Sequence, residues 1–122
     1  MKFHLQAPAA NLIRAFGPDW IRIGETEYRQ NLIVTPDAVV TGWAPAGFEA
    51  LAAEDFAVLL EYEPEIVLLG TGATQRFPHP RLTSALTQAR IGVDAMDTRA
   101  ACRTFNILVA EDRRVVAALL IG

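Results

Sequence analysis

Apolar and polar positions alternate along Trp20–Ile23, Gly24-Glu25 supplies a turn, and Tyr28–Thr35 follows as a second strand. Pro36-Asp37 marks another turn before Ala38–Thr41, which Gly42 closes. Antiparallel strands of this kind usually leave one face to water. After Pro45 the period lengthens. Phe48, Leu51, Ala52, Phe56, Leu59 and Leu60 recur at three and four residues, which predicts a helix or pair of short helices over 48–61, stopped by Pro64. Ile66–Leu69 is apolar on both faces, the mark of a buried parallel strand, and Gly70-Thr71-Gly72 ends it. Pro80 opens a helix over 80–90 with Leu82, Ala85, Leu86 and Ala89 on one side. A short strand follows at Gly92–Ala95. Asp97 or Thr98 then caps a helix through Ala110, and Val115–Ile121 forms a last, wholly apolar strand. From residue 48 onward the order is α-β-α-β-α-β. This order predicts an α/β fold of three layers: a central mixed, largely parallel sheet with helices, plus an additional N-terminal β layer. A single domain over residues 1–122 is expected, β-rich to about residue 45 and alternating α and β from about residue 46.

A chain of 122 residues, 52% hydrophobic and 20% charged, is long and apolar enough to bury a core, which excludes disorder and points to a soluble, compact protein. Its longest apolar run, Val115–Ile121, falls well short of the roughly 18 residues of a membrane span. No transmembrane segment is expected, and any membrane association would be peripheral. The start, MKFHLQAPAANLIRAF, lacks the apolar core of a secretory signal, so the expected location is cytoplasmic. Lys2 and ten arginines face fourteen carboxylates, and a net charge of −3 argues against a nucleic-acid partner. The charges are also segregated. Residues 1–42 balance to zero, residues 43–75 carry −6 with no basic group, and residues 76–122 carry +3. An acidic middle beside a basic C-terminal third suits contact with a protein partner.

Candidate chemistry is sparse. Cys102 is the only cysteine and His4 and His79 the only histidines, so neither an internal disulfide nor a metal site is expected. No nucleophile is paired with a base in sequence and no G-x-S-x-G element occurs, so no catalytic residue is assigned and no cofactor is expected. Cys102, following Ala100-Ala101 on a helix, reads as a small buried hydrophobe; the competing reading is a redox-responsive thiol. The acidic cluster Glu61, Glu63 and Glu65 around Pro64 reads as a solvated loop.

Two stretches stand out. GTGATQ, residues 70–75, lies at the C-terminal end of a buried strand, where α/β proteins place ligands. It is not a dinucleotide fingerprint, because Gln75 replaces the third glycine and Phe77-Pro78-His79-Pro80 precedes the next helix. It is either a tight turn or a ligand-facing backbone loop. In MDTRAACRTFN, residues 96–106, Arg99, Arg103 and Asn106 share one helix face, and Ala101, Phe105 and Leu108 share the other. Two guanidinium groups there could grip a carboxylate or phosphate; the alternative is that Arg103 pairs with Asp97 or Asp94. The candidate set for a small anion, ligand or partner is therefore Gly70, Thr71, Gly72, Asp97, Thr98, Arg99, Arg103 and Asn106.

The runs IVLLGTGATQRFPHPRL and GVDAMDTRAACRTFNILVAEDRRVVAALL resemble a family of small domains of unknown function typified by mitochondrial complex I assembly factor 3. The adipogenesis-associated domain protein belongs to the same group. The likeness is specific over Met96–Asn106 and Glu111–Leu120, moderate over Leu68–Gly72 and loose in the N-terminal half. Phe105 stands where the family commonly has tyrosine, and Val93-Asp94 where an acidic residue usually precedes Met-Asp-Thr. The resemblance implies a three-layer α/β fold with an extra β layer, no established enzymatic activity and no cofactor. For the mitochondrial member it implies help in assembling complex I through protein contacts; bacterial relatives are of unknown function. Two functions are thus carried forward. One is a non-enzymatic interaction or assembly domain with a protein partner. The other is an anion- or small-molecule-binding domain, or an undetected enzyme, using Gly70–Gly72 with Arg99 and Arg103.

Overall fold

The computed structural model describes residues 10–121; Lys2 and His4 lie outside them. Strands β1 (Ile13–Gly17), β2 (Trp20–Ile23) and β3 (Thr26–Tyr28) form an antiparallel three-stranded sheet. Strands β4 (Leu32–Thr35), β5 (Ala38–Thr41), β6 (Ile66–Thr71), β7 (Gly92–Met96) and β8 (Val115–Leu120) form the larger sheet, in the order β5-β4-β8-β6-β7. Helices α1 (Ala53–Ala57), α2 (Ser84–Gln88) and α3 (Thr98–Ala110) accompany them, with 3-10 turns at Phe48–Ala50, Val58–Tyr62 and Pro80–Thr83.

The period-two rule of strands sorts the core. On β6 and β8, Leu68, Val115, Ala117 and Leu119 face one side with Leu32 and Val34 of β4, meeting Ala101, Cys102 and Phe105 of α3 and Ile13, Ile21 and Ile23 of the small sheet. Val67, Leu69, Val116, Ala118 and Leu120 face the other side with Ile33, meeting Trp43, Leu51, Phe56, Leu59 and Leu86. The molecule is thus three layers: the short helices, the five-stranded sheet, and α3 together with the small sheet. Phe56 and Phe105 are fully buried, one in each core, and burial of such a side chain contributes about 1.5–3 kcal/mol. Trp43 meets Phe56 edge-on, ring centroids 6.1 Å apart, and its indole N–H donates to the Asp55 carbonyl at 2.8 Å.

The three-layer α/β arrangement expected from the sequence stands, with differences in detail. The single strand expected over Tyr28–Thr35 is divided between two sheets, Tyr28 ending β3 and Leu32 opening β4. Asn31 directs the crossing: its Nδ2 donates to the Ala44 carbonyl at 2.8 Å, and its Oδ1 accepts the Ile121 N–H at 2.7 Å. β4 and β5 therefore join the central sheet and only β1–β3 make the extra layer. Because β4 runs antiparallel to both β5 and β8, while β6 is parallel to β7 and β8, half the pairings are parallel. The helical stretch over 48–61 is broken at Leu51, which is extended, and restarts where the Asp55 carboxylate accepts the Ala52 N–H at 2.8 Å. Helix α3 has the expected limits. Asp97 is its N-cap, its Oδ1 accepting the Ala100 N–H at 2.9 Å.

Candidate functional site

The C-terminal ends of β6 and β8 meet the first turn of α3 at one hydroxyl. Thr98 Oγ1 donates to the Leu120 carbonyl at 2.6 Å and accepts the Gly72 N–H at 2.8 Å, while the Thr98 N–H donates to the Gly72 carbonyl at 2.9 Å. Gly72 holds a positive φ of 94°, which lets the chain reverse there. Gly70 lets α3 lie close: a Cβ there would sit 2.8 Å from Leu119 Cδ2 and 3.2 Å from Thr98 Cα. Thr71 is fully buried; its hydroxyl donates to the Thr74 carbonyl at 2.6 Å and accepts the Arg76 N–H at 3.0 Å. The Arg76 guanidinium turns back onto the Thr71 carbonyl at 2.7 Å and stacks 4.3 Å from the Phe48 ring. The loop after β6 is therefore both turned and internally bonded.

Of the eight residues singled out by sequence, Gly70, Thr71, Gly72, Asp97 and Thr98 converge on this junction. Arg99 and Arg103 stand side by side on the exposed face of α3, their guanidinium carbons 5.5 and 5.7 Å from the centre of the Phe16 ring. Among the described residues neither has a carboxylate partner, so the pairing of Arg103 with Asp97 or Asp94 does not form. Asn106 is turned to β1: its Oδ1 accepts the Ile13 N–H and its Nδ2 donates to the Ile13 carbonyl, each at 2.9 Å. Its amide thereby extends the small sheet rather than pointing to a ligand.

Between the β1–β2 hairpin and the start of α3 lies a cleft of about 560 Å³. From the sequence-derived set it takes Gly72, Thr98 and Arg99; Phe16, Gly17, Pro18, Ile21, Ala73 and Ile121 supply the rest of its wall. Sequence reasoning missed five of these six; Ala73 lies within the 70–75 stretch it singled out, though outside the candidate set. The Gly17-Pro18 dipeptide is the one signal that could have flagged the hairpin tip, since such pairs mark turns.

Cys102 is buried at 1% exposure. Burial pushes its thiol pKa up to about 12, with Arg103 pulling down and Asp97 pushing up as smaller influences. His79 lies away from the cleft on the loop before the 80–83 turn, its Nδ1 accepting the Arg81 N–H at 3.1 Å. Among the described residues no cluster of three His, Cys, Asp or Glu side chains could hold a metal ion, and no helix is long and apolar enough to cross a membrane.

A family model described as protein of unknown function (DUF498/DUF598) matches residues 13–120. The chain is similar to NADH dehydrogenase (ubiquinone) 1 alpha subcomplex assembly factor 3 of Danio rerio, 31% identical over 94% of this chain and 67% of that protein. Against the Mus musculus protein of the same name it is 37% identical over 72% of this chain, spanning about half, 48%, of the relative's length. A crystal structure from Bordetella parapertussis superposes with a TM-score of 0.89 at 35% identity, covering 95% of this chain and 99% of the other. A protein of Bartonella henselae described as an outer membrane protein superposes at 0.74 and 33% identity, covering 93% and 97%.

Proposed function

The chain belongs to the DUF498/DUF598 family, and on that premise we propose that it works as a non-enzymatic protein-interaction domain of the assembly-factor kind. One observation carries the reading: Arg99 and Arg103, stacked on Phe16, present two solvent-facing guanidinium groups with no acidic partner among the described residues. Arginine and aromatic side chains are the groups most enriched where proteins bind one another. Stacking on Phe16 holds the forks in place, so less side-chain freedom is lost when a carboxylate meets them. The same face continues along α3 to Ile107, which is 57% exposed. The partner is therefore a protein with an acidic surface and an apolar spot beside it. The domain acts as one unit in the cytoplasm, in contact with a membrane only through its partner.

Cross-linking and co-purification from the native host test this reading. Wild-type chain should retain a reproducible acidic partner at low ionic strength and lose it as salt rises past the screening range. The double variant Arg99→Glu/Arg103→Glu should keep its fold, because both side chains are exposed, and lose capture at least about tenfold. Unchanged capture by the double variant would refute the reading. Fractionation of the host tests the location: recovery of the chain in a washed membrane fraction, independent of any partner, would overturn the cytoplasmic part.

A further inference from the structure

The cleft shares Arg99 and Phe16 with the interaction surface, and the rest of its wall has a chemistry of its own. We propose that it binds a small monocarboxylate with an apolar body, the carboxylate on the Arg99 guanidinium and the hydrocarbon against Phe16, Pro18, Ile21 and Ile121. Its volume, about 560 Å³, lies within the range of roughly 300–1,000 Å³ of small-molecule sites.

The ligand class follows from which polar groups are left over. A phosphate would want several convergent donors. Here the Gly72 N–H is committed to Thr98 Oγ1, and the Thr98 hydroxyl and N–H are committed to the Leu120 and Gly72 carbonyls. The one cationic side chain in the wall is Arg99, which balances the single charge of a carboxylate but not the second charge of a phosphate, and its planar fork matches a carboxylate in bidentate fashion. None of the residues lining the cleft is acidic, so nothing in the wall competes for that fork. The ring of Phe16 holds the Arg99 guanidinium from one side at 5.5 Å while contributing its own surface to the cleft. An acetate-sized ion would leave the apolar wall wet, and a neutral hydrocarbon would leave the cation unpaired.

Titration of the full chain with octanoate, kept below its micellar concentration and followed by amide ¹H–¹⁵N spectra, tests the proposal. Saturable shifts are expected at Gly17, Ile21, Gly72 and Arg99. Acetate, 1-octanol and inorganic phosphate should each bind at least tenfold more weakly. Arg99→Gln should weaken octanoate at least tenfold. Ala73→Trp, at an exposed wall position, should abolish binding by filling the cleft. Arg103→Gln, outside the cleft wall, should leave octanoate binding within about threefold, which separates this site from the partner surface that Arg103 shares. No saturable shift, shifts confined to other regions, 1-octanol as tight as octanoate, or an Arg99→Gln variant that binds like wild type would each overturn it. Arg99→Gln keeps the test decisive should Ala73→Trp disturb the hairpin.

Discussion

Gly70 governs how closely α3 approaches the sheet, because the space of its missing side chain is filled by Leu119 and Thr98. Gly70→Ala should destabilise the fold by about 1–3 kcal/mol through overpacking, seen as a lower denaturant midpoint at unchanged slope. A neighbouring position makes the opposite point. Cys102 fits its site as a hydrophobe, and the reactive species of a thiol is the thiolate, which burial suppresses. Thiol reagents at pH 8 should therefore leave folded protein unlabelled, and the labelling rate should rise with urea in step with unfolding. Fast labelling of the folded chain would restore the redox reading. The sequence identified Cys102 as core because its neighbours on α3 repeat at helical spacing. It could not say whether Asn106 faced a ligand or the protein, since an amide on a polar helix face suits either.

At the scale of elements, α3 is the best-determined piece, and the reason is local. Asp97 as cap, the apolar stripe of Ala101, Cys102 and Phe105, and the turn at Glu111-Asp112 all lie within one short stretch. The strands are different, because membership of a sheet is decided by distant partners. Nothing near Leu32–Thr35 announces that it pairs with Val115–Leu120 some eighty residues on. The stretch Tyr28–Thr35 therefore reads as one strand, although the polar residues 29–31 mark the change of sheet. β1 was missed for the same reason. It is irregular in register between Ile13 and Ala15 and tied to the molecule largely through β2 and α3. Asn106→Ala removes both bonds to Ile13 and should cost about 1–3 kcal/mol, with hydrogen exchange of β1 and β2 accelerated more than that of β6 and β8.

For the whole molecule, the candidate site was half legible. The strand end and helix start that border the cleft could be named, because both lie in residues 70–106. The opposing wall, Phe16 to Ile21, could not, because closure of that wall is a tertiary event. Charge at the other end of the sheet yields a prediction on pH. Glu65 Oε1 accepts the Arg114 N–H at 2.8 Å and lies 3.5 Å from Arg113 Nε, so its pKa is held below the ordinary 4.5, first by that backbone bond and then by the two arginines. A carboxyl whose folded pKa is depressed stabilises above its unfolded value and loses that contribution as pH falls through the folded one. Stability should fall on acidification from about pH 5 downward, and Glu65→Gln should flatten that limb while leaving its upper end lower. Identical acid limbs in the two proteins would refute the assignment.

The clamp between Asn106 and Ile13 has one more consequence. β1 is one of the two edge strands of the small sheet, and the side chain of Asn106 fills the place on its free side where another chain's backbone could pair. A strand so occupied is a poor template for a neighbouring molecule to add to. Loss of that single amide would leave Ile13 with a bare donor and acceptor at the rim, so self-association at high concentration should appear before global unfolding does.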